Sequence, residues 1–596
     1  MRQRGFAHAI GRYLMEQRHY DFVVIGGGLS GVCAAIAAAR HGVRVGLIQD
    51  RPMLGGNSSS EVKMHVCGAD IHGHRPNARE SGIVEELLLK NRFTNPLHSF
   101  EAWDYVLYDA VKSEPNIDLF LNARAYEVET NADSITSVLV MQSTTERVFD
   151  ISAFCFCDAS GDGLVAYKSG AKFMYGREGK EVFGEPDAPE RSDCKVMGAS
   201  LMFTAKDVGC KVSFVKPDRA YEYSESDLAC RDHSHITSGY WWIEYGEDDI
   251  ISDCESVRDE LVKMLFGVWD HIKNGGDHGA DNYALDWIGS YPAKRESRRF
   301  IGDYVLKEQD ILSGGHFADT VAYGGWNMDM HVPGGLINVS AAPTSYFNVP
   351  DVYGIPYRSL YSVNVENLFL GGRLISASHL AFGSSRVMGT CAVIGQAIGT
   401  AAALCVKKRC SPRELNDDMA ELRRLLMRDD CYLPGVEYTD EFDAARSAFV
   451  SASSFKSDYE PKNVTDGFYR NENGKNHCYR SDGIGPNGET ITLELGEPRK
   501  VTQVAVRFDS DYSNELTITI SDAIRNRQRP YPTELVKKYS VSLYFNGEKV
   551  YSSITDNNVK RFSVHETGGV VADKVAITAY ETYGAKYITI FGINVY

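Results

Sequence analysis

Hydrophobic and polar positions divide the chain into two regions of different rhythm. Tyr20-Asp-Phe-Val-Val-Ile25 is a short apolar run that stops at Gly26-Gly27-Gly28. An alanine-rich stretch follows from Ser30 to Arg40, and Val43 to Ile48 is a second apolar run. The order strand, glycine turn, helix, strand predicts a βαβ unit feeding a parallel sheet. From about residue 170 to 350, charged loops alternate with aromatic pieces such as Tyr240-Trp241-Trp242. This predicts an α+β substrate-facing region inserted into the first domain. Small and apolar residues dominate from Leu368 to Leu404, with a helix expected from Gly389 and a charged helix near Pro412 to Arg428. Beyond Arg446 the period becomes two. Val504, Val506 and Phe508 alternate with other residues, as do Tyr539, Val541, Leu543 and Phe545 before Asn546-Gly547; Val575, Ile577 and Ala579 repeat the pattern, and so do Ile588 and Ile590. Such alternation with hairpin signals predicts an antiparallel β-sandwich. The expected organisation is an α/β, Rossmann-like domain over residues 1–445 and a β-sandwich over 446–596.

The length of 596 residues fits two or three domains. With 63 Lys and Arg against 80 Asp and Glu, the net charge of -17 argues against nucleic-acid partners and an anionic membrane surface. It is silent on small molecules and on oligomerisation. No stretch reads as a bilayer-crossing segment. Met1 to Tyr20 carries four arginines and two histidines without a continuous apolar core, so no secretory leader is expected. The 13 cysteines show no zinc-like pairing, and Cys155 and Cys157 alternate with Phe154 and Phe156 along an expected buried strand. Reduced core thiols in a cytoplasmic protein are the expectation.

Gly26-Gly27-Gly28-Leu29-Ser30-Gly31 fits the dinucleotide pattern G-x-G-x-x-G between a strand and a helix. Gly26 permits the tight turn, Gly28 lets backbone approach a pyrophosphate, and Gly31 lets helix and strand pack closely. The helix N-terminus then points free N–H groups at the phosphates. The acidic residue usual after the second strand is replaced by Gln49, followed by Asp50 and Arg51. A glutamine amide still bonds ribose hydroxyls, less strongly than a carboxylate.

The stretch Gln49-Asp-Arg-Pro-Met-Leu-Gly-Gly-Asn57-Ser58-Ser59-Ser60-Glu61 resembles the FAD-dependent oxidoreductase family of bacterial carbohydrate-utilisation clusters, some members of which have been labelled xanthan lyases. Three further segments carry the resemblance in the family's order, which spans about residues 20 to 430. Phe156-Cys-Asp158-Ala159-Ser160-Gly161-Asp-Gly163 looks like the turn that returns to the cofactor. Pro292 to Asp303 resembles the family's basic strand. Asn367-Leu-Phe-Leu-Gly-Gly372-Arg373 leads into His379 to Gly389. The resemblance implies FAD as cofactor, held by Gly26 to Gly31, Gln49, Asp50, Arg51, Gly55, Gly56, Asn57, Ser58, Ser59, the 158–161 turn, Gly372, Arg373 and Gly389. Gly55-Gly56 offers unobstructed N–H groups to phosphate or flavin. The helix from Gly389 is expected to face the pyrimidine end of the flavin, where its dipole favours the reduced anion. Arg373 stands where many two-dinucleotide flavoproteins have Asp. No second G-x-G-x-x-G and no Cys-x-x-x-x-Cys pair is present, which disfavours a disulfide reductase. Residues 446–596 look like a galactose-binding-like, discoidin-type sandwich, through Ala452-Ser-Ser454, Asn463 to Gly467 and Ile491 to Gly496. Glycan binding and a packing role both stay open for it.

Beside the expected flavin helix, His379 could take a hydroxyl proton as hydride leaves, and Arg386 could neutralise charge. His331, in a glycine-flanked loop with Trp326 and Asp329, is a second catalytic candidate; the aromatic and the carboxylate suit a carbohydrate. Either cluster could instead be structural. His65, Cys67, His72 and His74 match no zinc pattern, so no metal is expected; covalent flavin attachment at Cys67 or a neighbouring histidine stays open. The expected activity is hydride transfer from a secondary alcohol of a small-molecule or oligosaccharide substrate to FAD. The alternatives are double-bond chemistry with Arg386 as proton donor, a glycan-cleaving lyase, or a flavin-bearing carbohydrate-binding protein.

Overall fold

The computed structural model describes residues 15–246, 249–276 and 278–596. Residues 1–14, on which most of the leader expectation falls, lie outside them. The chain forms two compact units. The first takes residues up to Gly68, 98–419 and 517–527; the second takes 69–97, 420–516 and 528–596.

In the first unit, β1 (Glu16–Ile25), β2 (Val45–Ile48), β3 (Ile117–Phe120), β4 (Ala123–Asn131), β5 (Ser134–Gln142) and β6 (Arg147–Asp158) build the main sheet, and helix α1 (Leu29–Arg40) connects β1 to β2. Its strand order is β3-β2-β1-β6-β5-β4. β1 runs parallel to β2, with Phe22 opposite Val45, and parallel to β6, with Phe22 opposite Cys155. β4 and β5 form an antiparallel hairpin, and β5 pairs antiparallel with β6. Strand Leu368–Leu370 joins β6 in parallel, Leu368 opposite Phe156. A parallel sheet covered on both faces needs apolar residues in succession, and Phe22, Val23 and Val24 are each fully buried. Val23 and Ile25 share a core with Phe149, Phe156, Phe300 and Leu374.

The inserted region holds the 21-residue helix α2 (Cys254–Asn274) and several small antiparallel pieces. Ala199–Ser200 pairs with Glu244–Tyr245 and Ala293–Lys294, and Met328–His331 pairs with Thr344–Phe347. Tyr240 stacks on Phe203 at 4.1 Å and Trp242 joins the same core, while the neighbouring Trp241 packs against that core half-buried and also meets the His331 ring at 84°.

Two helices close the unit: α3 (His379–Ser385) and α4 (Met388–Lys408). α4 corrects one expectation. At 21 residues it is long and apolar enough to cross a membrane, yet every residue from Gly389 to Cys405 is buried in the protein. Its small side chains let it lie almost backbone to backbone on α1. A Cβ at Gly395 would meet the Ser30 carbonyl at 2.0 Å, and one at Gly399 the Ala34 carbonyl at 2.1 Å.

The second unit is an antiparallel sheet of strands Phe449–Ala452, Tyr479–Arg480, Glu489–Phe508, Val536–Phe545, Glu548–Thr555, Phe562–Thr582 and Thr589–Val595. Two of these are long and change register along their length, at 494/499 and 501/503. The hairpin at Asn546-Gly547 has both residues at positive φ, 52° and 81°, the geometry that pairs tightly twisted strands. In its interior Arg507 and Arg561 both donate to Asp430, at 3.1 Å each. Cys155 and Cys157 are buried thiols on β6.

Candidate active site

The site is built where glycine turns bring backbone segments together. Gly26, at φ 104°, has its α-hydrogen against the 159–160 backbone, since a Cβ would lie 2.4 Å from the Ala159 carbonyl oxygen. A Cβ on Gly31 would lie 1.8 Å from the Gly26 carbonyl oxygen, so only glycine lets α1 start this close to β1. Gly55 donates its N–H to Gly27 O at 2.8 Å, and the two glycine turns form an isolated parallel bridge, Gly28 to Gly55. A Cβ at Gly28 would meet nothing nearer than Gly56 Cα at 4.0 Å. This is the one position of the motif where a side chain would project into open space, beside the N-terminus of α1, which has no side-chain cap.

Those features fit FAD. The hydroxyls of Ser30, Ser59 and Thr390 are buried without a hydrogen-bond partner, a costly state unless a polar group meets them. Ser30 opens α1, Ser59 follows the Gly55-Gly56 turn, and Thr390 lies in the first turn of α4. Gly372, at φ 62°, packs its backbone against Ser30. The set suits a phosphate-bearing ligand extended from α1 towards α4.

Other expected cofactor residues have internal partners. The Gln49 amide accepts from Gly27 N–H at 2.8 Å and donates to Met53 O at 3.0 Å, so it braces the glycine turn. Asp50 is left exposed at the end of β2, and Arg51 pairs with Glu61 and lies over the Tyr291 ring. Ser58 donates to Gly55 O and accepts from the Trp103 indole, and Asn57 donates to Lys294 O. Asp158 is fully buried and accepts from Ser160 and from Ala166 N–H, which shapes the turn and caps the helix after it. Arg373 donates to Arg295 O and stands against Gly161, and Gly389 donates its N–H to Cys67 O.

The catalytic candidates form two buried groups. In the first, Arg386 donates to the carbonyl and the carboxylate of Asp329, both at 3.1 Å. His331 stands between Asp329, 3.3 Å from Nε2, and Glu244, 2.7 Å from Nδ1. Arg295 lies 3.5 Å from Glu244. Burial raises the Asp329 pKa, but His331, Arg386 and Arg295 outweigh it and hold the carboxyl at about 2. Burial works the same way on Glu244, and Arg295 and His331 prevail to lower it. Trp326 is buried, its carbonyl taken by the Ser384 hydroxyl. In the second group, His379 Nδ1 is 2.9 Å from Glu296 Oε1. Glu296 is fully buried; burial raises its pKa, while His379, Arg299 and the Met197 N–H prevail and lower it.

One segment links everything. Lys294 binds Asp162, Ser297 donates to Gly161 O, and Arg298 donates to Asp162 O, all on the cofactor turn. Between them Arg295 and Glu296 reach the two histidine groups, and Arg299 pairs with Glu178. Sequence reasoning singled out this basic strand but not Glu296 or Glu244. Glu296 stands among basic residues and Glu244 just ahead of an acidic run, and only the tertiary fold brings each to a histidine.

A family of FAD dependent oxidoreductases matches residues 21–426, and the chain belongs to that family. It is a flavoenzyme with FAD as cofactor. A 43-residue stretch is 56% identical to the soluble pyridine nucleotide transhydrogenase of Marinobacter nauticus; it covers 7% of this chain and only 9% of that protein. Among solved structures, a fucose binding module of Streptococcus pneumoniae, SpX-3, is 12% identical with a TM-score of 0.21, covering 26% of this chain and 96% of the module. The family 32 carbohydrate-binding module of C. perfringens NanJ, solved with galactose, is 18% identical with a TM-score of 0.19, again over 26% of this chain and 96% of its own.

Proposed function

We propose that this flavoenzyme oxidises a secondary alcohol of a carbohydrate-derived substrate, with His379 as base. The carrying observation is a set of buried polar atoms without partners in and beside the first histidine group: Arg386 Nε, Asp329 Oδ1, Glu244 Oε1 and the Ser385 hydroxyl. Donors and acceptors occur side by side. A vicinal diol satisfies both, because each hydroxyl donates and accepts.

FAD, when bound, supplies a two-electron acceptor for hydride. His379 Nδ1 faces an ionised, buried carboxylate, so that nitrogen carries the ring proton and Nε2 keeps its lone pair for a substrate hydroxyl. Glu296 holds the ring in that tautomer and steadies the imidazolium formed when the proton arrives. His331 is the weaker candidate for base, because both its ring nitrogens already face carboxylates. It fits a positioning role, fixing Asp329 and Glu244 for the substrate hydroxyls.

For the second unit we favour a galactose-binding-like sandwich. Its antiparallel topology and the two long strands that shift register support that reading.

Anaerobic mixing of the FAD-loaded protein with a panel of sugars and sugar acids tests the activity. Bleaching of the flavin together with a ketone in the product is the expected result. An unsaturated product formed without bleaching selects the lyase instead.

A further inference from the structure

The inserted region carries a second cluster that the oxidation does not use. Glu225 and His233 lie on the loop before Tyr240, His271 lies in the last turn of α2, and His278 follows that helix. Their ligand atoms all lie within 4.8 Å of one another. Glu225 Oε2 is 3.1 Å from His271 Nε2 and 3.7 Å from His278 Nε2, and its Oε1 is 3.5 Å from His233 Nε2. The Nε2 atoms of His271 and His278 are 3.1 Å apart. A tetrahedral zinc site with bonds of about 2.0–2.1 Å has edges of roughly 3.3 Å between ligand atoms. The separations in the cluster bracket that edge.

The outer contacts agree. His233 Nδ1 is 2.7 Å from Arg231 O, and His271 Nδ1 is 3.1 Å from Tyr223 O. A carbonyl only accepts, so each Nδ1 carries a proton and each Nε2 turns a lone pair inwards. Lone pairs of two rings and a carboxylate then face a common centre, an arrangement that a divalent cation resolves. The three rings pack edge to face, with centroids 4.8–5.4 Å apart, and the side chains of His271, His233 and His278 are only 2%, 10% and 16% exposed. Three imidazoles and one carboxylate suit a borderline cation, not the all-oxygen shells of calcium or magnesium.

We propose that Glu225, His233, His271 and His278 bind one Zn2+ in a closed structural site that ties the end of α2 to the 223–233 loop. Four protein ligands complete a tetrahedron and leave no position for substrate. The spacing 225, 233, 271, 278 matches no sequence pattern for zinc, so the site is legible only in the fold.

The test uses the FAD-loaded protein, stripped with a chelator and then dialysed against Zn2+, with metal content and thermal unfolding measured. About one zinc per chain and a raised Tm are expected. The double variant His233→Ala/His278→Ala should lose both responses and keep its FAD. Because loss of buried rings can disturb folding, the exposed Glu225→Gln provides a second arm. Its metal-free Tm should match the wild type, with zinc affinity at least about tenfold weaker. Stripped wild type that takes up no zinc overturns the proposal, as does a folded double variant that takes up as much as wild type.

Discussion

His379 and Glu296 face each other across 2.9 Å with both side chains nearly sealed from solvent, one at the start of a helix and the other between two short strands. A histidine so held has one nitrogen fixed and one to offer. His379→Asn should therefore retain FAD and slow anaerobic flavin reduction by about a hundredfold or more. Glu296→Gln should slow it too. Rapid mixing with an active sugar reads both. Wild-type rates in His379→Asn would move the base to His331.

Arg386→Lys keeps the charge but loses the guanidinium whose one nitrogen, Nη2, donates to both the carbonyl and the carboxylate of Asp329. KM should rise by about tenfold with kcat less affected, and FAD content should be unchanged. An altered flavin content with normal KM would place Arg386 with the cofactor instead.

Gly28→Val directs a branched side chain into the open space beside Gly56 at the start of α1. The purified variant should lack the yellow chromophore and remain folded, because a Cβ at this position meets only Gly56 Cα, at 4.0 Å. Flavin absorbance per chain and circular dichroism give the two readings.

The second unit should show a pH dependence of its own. Glu80 is buried and pushed up to about 8, first by burial and then by the charge of Asp70. A carboxyl that binds its proton more tightly when folded stabilises the fold at low pH. That stability is lost as pH rises from about 4.5 towards about 8. Glu80→Gln keeps an acceptor for the Ala69 N–H and should flatten this decline, which denaturant titrations of the second unit's transition across the window would show. An identical decline in the variant would assign it to other groups, such as Asp70 or Asp509.

Local signals in the sequence carried the scaffold further than the chemistry. The βαβ start, the small-residue helix and the Asn546-Gly547 hairpin each rest on neighbours in the chain: a glycine turn, a period, a left-handed pair. Glu296 and Glu244 do not. They reach His379 and His331 across 83 and 87 residues, and no local pattern marks an acid whose partner is so distant. Gln49 shows the opposite case. Its position after β2 suggested a ribose contact, but the amide turns inwards to Gly27 because that buried N–H needs an acceptor. The membrane-compatible apolarity of α4, not its presence, was likewise hidden by its glycines, which lower the apparent hydrophobicity of a helix buried along its whole middle.

Those same glycines fix a length. With Gly395 against Ser30 and Gly399 against Ala34, α4 cannot slide along α1 without a clash of backbone atoms. The two helix beginnings are thus held at one separation, like jaws locked at a set opening. A mononucleotide flavin would engage the end at Thr390 and leave the hydroxyl of Ser30 and the glycine cradle unanswered. Selectivity for the dinucleotide over its shorter relative would then follow from helix packing more than from any contact to the adenine.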